Sequence, residues 1–395
     1  MSIRESTLLY LFVFLLTCIL TNKAEKRINH KQKLDFFVLS VVAVFIPSLL
    51  AGMRGDTVGK DVLMYAVRTF EYAENAESFE SLYNISTEPI GYTFLAFITS
   101  KFFDDTGYFL FTSQLMVICP VYICAYKRRQ DFPMWITMSV YLFVFYNNSL
   151  NIMKQSVSAA FMLLCYCHIK DKEYFRAIIA FFISLTFHTS AIIGLVFILF
   201  SLVLCTIKNK SAKLSLAMFL LAIMVNIEVI SKFLVDNGLL PEKYAKNIYA
   251  VFDMSQNVYL RIVGFNTHVL FDWIFRVLLV LLPIMFLSRI NKQTDENIIN
   301  LALIGLVFYS YVLILFKTVY GNRISLYCDY FLVLLVPQLK NVFRNYSLIE
   351  KFSVDTFIVG TMCVYWYVWV MLFGFSASNY YTFRFELGSL ISRIF

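Results

Sequence analysis

Apolar residues in this chain come in long blocks separated by short polar stretches. A helix needs about 20 mostly apolar residues to cross a bilayer. On that measure the probable spans are 8–21, 34–52, 106–125, 133–149, 151–169, 174–187, 189–206, 213–231, 267–289, 298–316, 324–341 and 353–374. The pair 174–187 and 189–206 reads either as two helices or as one broken helix. The pattern predicts an all-α, polytopic integral membrane protein with about 12 transmembrane helices, forming a single transmembrane domain over 1–395.

The loops set the orientation. Basic clusters stand at Lys23 to Lys33, Lys127 to Arg129, Lys170 to Arg176, Lys208 to Lys213, Arg289 to Lys292 and Lys340 to Lys351. Placing all six in the cytoplasm satisfies the positive-inside rule. The long loops 53–87 and 232–266 then face outward, as do both termini. Residues 88–104 are apolar, but a full crossing there would turn Lys127 to Arg129 outward. The segment is therefore expected to be a re-entrant or interfacial helix, which needs protein or a wet cavity to satisfy its polar groups.

Composition agrees with lipid as the main solvent. Hydrophobic types make up 59% of 395 residues and charged types 15%, against about 25% charged in soluble domains. The net charge of +8 is explained by loop cations, so nucleic acid is not expected as a partner. The eight cysteines all fall in apolar blocks and read as small buried hydrophobes. Cys165, Cys167 and His168 lie close in sequence, but residues two apart on a helix face different ways, and no second ligand pair is evident. No metal and no cofactor is expected.

Charged residues within or beside apolar spans merit a functional hypothesis. His268, Asp272 and Arg276 follow an i, i+4, i+8 spacing on one helix face. They read either as a packing ion pair or as a cavity-lining network. The loop from Met53 to Tyr65 holds Arg54, Gly55, Asp56, Gly59, Lys60 and Asp61. Cations suit phosphate, and arginine binds it bidentately. The spacing does not match a Walker loop, and a solvated loop with a helix start near Asp61 is the plainer reading. Glu88-Pro89 suits a helix N-terminus, or supplies a carboxylate at the membrane rim. Lys154 either snorkels to the interface or points inward. His188 and Arg323 fall at the same expected depth. Arg54, Lys60, Glu88, Lys154, His188, Asp272, Arg276 and Arg323 thus share one expected side of the membrane, which fits an anionic headgroup tethered to a lipid tail.

Three motifs carry a family resemblance. They are Arg54 with Gly59-Lys60-Asp61 and Tyr65; Glu88-Pro89-Ile90-Gly91-Tyr92; and Asn151-x-x-Lys154-Gln155 followed by Phe187-His188-Thr189-Ser190-Ala191. Their order and spacing resemble the EpsG family, a branch of the Wzy-type O-antigen and exopolysaccharide polymerases. Lys154 stands where that family usually carries arginine, and Val62 where it often carries tyrosine.

The resemblance implies a membrane glycosyltransferase. It would move a growing glycan from undecaprenyl diphosphate to another lipid-linked repeat unit, at the periplasmic face of the bacterial cytoplasmic membrane. Arg54, Lys60, Lys154 and Arg323 would contact the diphosphate. Glu88 would be the base, with Asp61 or His188 as rivals, and Tyr65, Tyr92 and Tyr249 could stack on sugars. A chain-length regulator and a flippase of the same pathway would be its partners beside membrane lipid. The alternatives from other classes are a flippase or transporter of the lipid-linked oligosaccharide, and an O-antigen ligase.

Overall fold

The computed structural model describes residues 1–225, 229, 233, 235–238, 267–285, 305, 326–342 and 348–385. They are helical, with no β-strand among them. Helices α1 (Ile3–Asn29), α2 (Lys33–Gly52) and α6 (Thr106–Lys127), and the stretch Ser353–Leu372, are long and apolar enough to cross a membrane.

The predicted segment 8–21 is the apolar middle of α1. The helix runs on through Lys23 to Arg27 because long straight side chains lose little freedom in a helix. Its first turn is closed by a reciprocal Ser2–Glu5 cap. Near its end, Glu25 accepts a 2.9 Å hydrogen bond from the Met134 N–H, a donor left open because Met134 begins a helix.

The chain forms two compact units, Met1–Ile192 with Val336–Phe395, and Ile193–Leu335. In the first, α1 packs on α2, α2 on α6, and α6 on α9 (Met153–Lys170). Helix α9 in turn packs along α10 (Tyr174–Phe187). Between α2 and α6 lie a π-helical turn Val62–Val67 and three short helices: α3 (Arg68–Asn75), α4 (Phe79–Ile85) and α5 (Ile90–Ser100). The 53–87 stretch, expected as a loop, is thus largely helical.

Helix α5 has 11 residues, a length of roughly 16 Å, about half of a hydrocarbon core. It approaches α10 where Gly91 faces Thr186 and Phe187: a Cβ there would lie 3.1 Å from the Phe187 ring. The span 133–149 is one continuous rod built of α7 (Met134–Val140), a π-helical turn Tyr141–Phe145 and α8 (Tyr146–Ser149).

After α10 the backbone turns extended at His188, with φ −162° and ψ 130°, and α11 (Ala191–Thr206) begins three residues on. The two-helix alternative therefore holds. The second unit contains most of α11, α12 (Lys210–Val225) and α13 (Thr267–Met285). Helices α14 (Leu332–Val342) and α15 (Leu348–Trp366) follow, the latter continued by a π-helical turn Tyr367–Leu372. The expected span 298–316, apart from residue 305, lies outside the described residues, as does most of 232–266.

One charged knot ties the α6, α9 and α10 ends together. Lys127 reaches Asp171 at 2.7 Å and Glu173 at 2.8 Å, and Arg128 reaches Asp171 at 2.6 Å. Glu173 also meets His168 at 2.6 Å and Arg176 at 2.9 Å. The Lys127 and then the His168 hydrogen bonds hold the Glu173 carboxyl down at about 2, from an ordinary 4.5. A depressed carboxyl contributes stability above its unfolded pKa and loses it as pH falls through the folded one. We therefore expect Glu173→Gln to lower the melting temperature at neutral pH. The gap to wild type should narrow as pH falls from 4.5 toward about 2, as followed by thermal unfolding in detergent.

Candidate functional site

The site grows from a seam between the loop after α2 and the segment that follows Leu372. The Gly55 N–H donates to the Thr382 carbonyl at 2.7 Å, the Arg384 N–H to Met53 at 2.9 Å, and the Gly59 N–H to Ala377 at 3.1 Å. Arg54 and Phe383 form an isolated antiparallel bridge. Gly59 is required here: its φ is +101°, and a Cβ would lie 2.8 Å from the Leu150 carbonyl oxygen. Arg384 pins the same loop from the side, pairing with Asp56 and lying 3.5 Å from Asp105.

This seam turns the Arg54 side chain inward, where it is only 1% exposed. Its Nη2 donates to the Met153 sulfur at 3.3 Å. Its Nε and Nη1 are buried with no hydrogen-bond partner. Four tyrosines, Tyr146, Tyr10, Tyr381 and Tyr92, lie within its electrostatic reach. Two of them are spoken for by backbone: Tyr146 donates to Pro47, and Tyr381 to Leu50, both at 2.7 Å. Burial pushes the Arg54 pKa down, yet a guanidinium stays protonated in proteins. The result is a buried cation with two free donors.

Met153 leads directly to Lys154, at the start of α9. Lys154 points inward: it forms a close ion pair with Glu88, and the two side chains are 21% and 11% exposed. Its ammonium sits 4.1 Å above the Tyr65 ring and 5.6 Å from that of Tyr92. Tyr65 is carried on the π-helical turn, a feature common at functional sites. Asp61 precedes that turn without capping it through its side chain; its N–H donates to the Asn151 side chain at 3.1 Å. Gln155 reaches Ser190 at 3.5 Å, and Ser190 bonds the His188 Nδ1 through both its hydroxyl, at 2.5 Å, and its N–H, at 3.2 Å. Because the backbone N–H must donate, Nδ1 accepts, and the neutral ring carries its proton on Nε2.

Arg54, Asp61, Glu88, Lys154 and His188, distant in sequence, thus lie along one chain of contacts. Lys60 is exposed and is not among these contacts. Tyr92 is fully buried and packs on Phe109 at 4.9 Å between centroids, so it offers no open face for a sugar. Arg323 and Tyr249 lie outside the described residues.

In the second unit, Arg276 bridges Asp272 at 2.7 Å and Asp329 at 2.6 Å. That arrangement compensates a cation that is 5% exposed, the requirement for burying charge. Asp329 was legible only as an isolated carboxylate in an apolar span. His268 begins the same helix, α13. The residues that sequence reasoning missed around Arg54 are Tyr10, Tyr146, Met153, Tyr381 and Arg384. They come from four separate segments and, apart from Met153 at a variable position of the Asn151-to-Gln155 motif, carry no motif.

The EpsG family model matches residues 37–385, a stretch that contains every residue of this cluster except Tyr10. The chain belongs to the EpsG family. No curated protein and no solved structure matches it. Membership of the EpsG family, associated with Wzy-type polymerases, supports a polysaccharide-polymerase type of function for this membrane protein. The three motifs quoted for the EpsG resemblance are those that the fold draws together at Arg54, Glu88–Lys154 and Gln155–His188.

Removing one partner of a half-buried ion pair strands the other. We expect Glu88→Ala and Lys154→Ala each to destabilise the protein and the double variant to lose less than their sum. The coupling, read from thermal unfolding, should be about 0.5–3 kcal/mol. Strict additivity would show that the pair is loose.

Proposed function

We propose that the protein polymerises lipid-linked repeat units at the periplasmic face of the bacterial cytoplasmic membrane, as a multi-pass enzyme of about 12 spans. The donor is a glycan on undecaprenyl diphosphate and the acceptor is a sugar hydroxyl of a second lipid-linked unit. The observation that carries the reading is the buried Arg54 guanidinium with two unpartnered donors. A preorganised, desolvated cation with free N–H groups is what a departing diphosphate needs.

In the proposed step, the acceptor oxygen attacks the anomeric carbon, and the bond from that carbon to the diphosphate oxygen breaks. The electron pair leaves with the diphosphate, whose added negative charge is met by Arg54, assisted by Lys154 and Arg323. The acceptor's proton passes to Glu88. The ion pair with Lys154 holds the Glu88 carboxylate in place before that transfer. Asp61 and His188 are the rival bases; His188, with Nδ1 accepting from Ser190, is better suited to donate. Lys60 sits at the exposed end of the Arg54 loop, suited to attract the anion. The protein's own cations supply the countercharge, so the chemistry is metal-independent in this proposal. A flippase and a chain-length regulator would work with it.

Alanine replacement of Arg54, Glu88, Lys154, His188 and Arg323 tests the assignment, with ladders of surface polysaccharide as readout. Arg54→Ala and Glu88→Ala should each cut polymer by 100-fold or more, on the scale of about 10²–10³ for a lost charge-stabilising donor, and leave single repeat units on the acceptor. Complete absence of exported units would indicate a flippase, and polymer retained on the carrier a ligase. Full-length ladders from all five variants at normal protein level would discard the site. Polymerisation by the purified protein should also survive chelation of divalent cations; its loss, restored by added metal, would refute the metal-independent step.

A further inference from the structure

The Arg54 cluster contains one more group without a role. Tyr92 is 0% exposed, and its hydroxyl is buried with no hydrogen-bond partner. Leaving a buried hydroxyl unsatisfied costs stability that phenylalanine would avoid. Packing does not require the oxygen, since the ring already packs at a tilt against Phe109, itself a phenylalanine. Tyr146 and Tyr381, also near Arg54, differ in this respect: their hydroxyls donate to main-chain carbonyls, whereas the Tyr10 hydroxyl is unpartnered like that of Tyr92.

Placement argues for a ligand. Tyr92 sits in the first turn of α5, four residues after Glu88. Its ring faces the Lys154 ammonium at 5.6 Å. Arg54, Glu88 and Asp61 are all within its electrostatic reach. Two sets of unused donors, the Arg54 Nε and Nη1 and the Tyr92 hydroxyl, are therefore buried in one neighbourhood. A neutral phenol donates readily to an anionic oxygen, and such charge-assisted bonds are the strong ones.

We propose that the Tyr92 hydroxyl is a second, uncharged donor to the anion held by Arg54, making Tyr92 a substrate-contacting residue. The inference rests on the diphosphate reading above and extends it to a residue whose ring otherwise looks like core. It also gives a reason for Glu88 to stand just before α5 and Tyr92 in its first turn: moving α5 would adjust the base and the anion donor together.

The test uses the full-length protein in detergent, with farnesyl diphosphate as the probe, binding measured by calorimetry and stability by thermal unfolding. For Tyr92→Phe we expect a ligand-free melting temperature equal to or above wild type, and a Kd raised roughly 10- to 100-fold, the scale of a hydrogen bond to a charged group. An unchanged Kd, with Arg54→Ala still weakened, overturns the role of Tyr92 and leaves the diphosphate reading standing. A lower melting temperature without ligand overturns it too, because the hydroxyl would then be structural. Wild-type protein that does not bind the probe, or Arg54→Ala that binds it as well as wild type, removes the diphosphate reading and this inference together.

Discussion

A guanidinium cannot shed its proton inside a protein, so a buried arginine must be compensated or held by force. Arg276 shows the first solution, with carboxylates from Asp272 and Asp329 on its donors. Arg54 shows the second. Its ring of neighbours is aromatic, its one acceptor among the described residues is a methionine sulfur, and two donors have none. Of these two buried arginines among the described residues, Arg276 is neutralised by adjacent carboxylates and Arg54 is not. An anion that arrives from outside would complete the other.

Holding Arg54 in that state takes structure, and much of the first unit supplies it. The segment 376–384 is tied to the Arg54 loop by main-chain hydrogen bonds and to Asp56 by Arg384. Farther in, Trp366 donates to the Asn147 side chain at 2.8 Å, and Asn147 donates to Ser378 at 2.9 Å. The Met1 ammonium donates to the Tyr381 carbonyl at 3.1 Å. Residues from both ends of the chain therefore fix the geometry of a loop at positions 53–60. The backbone accepts strain in doing so: Ser376 and Ala377 have φ of 66° and 49°, values that cost non-glycine residues energy and persist where surroundings over-determine them.

Much of this was readable from sequence, and the reasons differ by element. The apolar blocks marked 174–187 to the residue, because turn-forming Asp171-Lys172 and extended His188 bound it on both sides. Helix α1 outran its prediction because hydropathy sees only the apolar middle, whereas helix propensity carries through lysine, glutamate and arginine. Arg54, Glu88, Lys154 and His188 stood out as charges or polar groups beside apolar spans. What the pattern could not tell was their direction. Lys154 could have snorkelled outward; contact with Glu88 and Tyr65 holds it inward. The tyrosines around Arg54 were indistinguishable from the many aromatics that fill a membrane protein, and Arg384 lay in a tail without periodicity. Their roles depend on tertiary contacts hundreds of residues apart.

The most direct measurement is a cryo-EM map of the full-length protein loaded with undecaprenyl diphosphate. The account predicts phosphate density within hydrogen-bonding distance of the Arg54 Nε and Nη1, with the lipid tail leaving toward the membrane. Diphosphate bound elsewhere, with the Arg54 donors facing only protein, would contradict it.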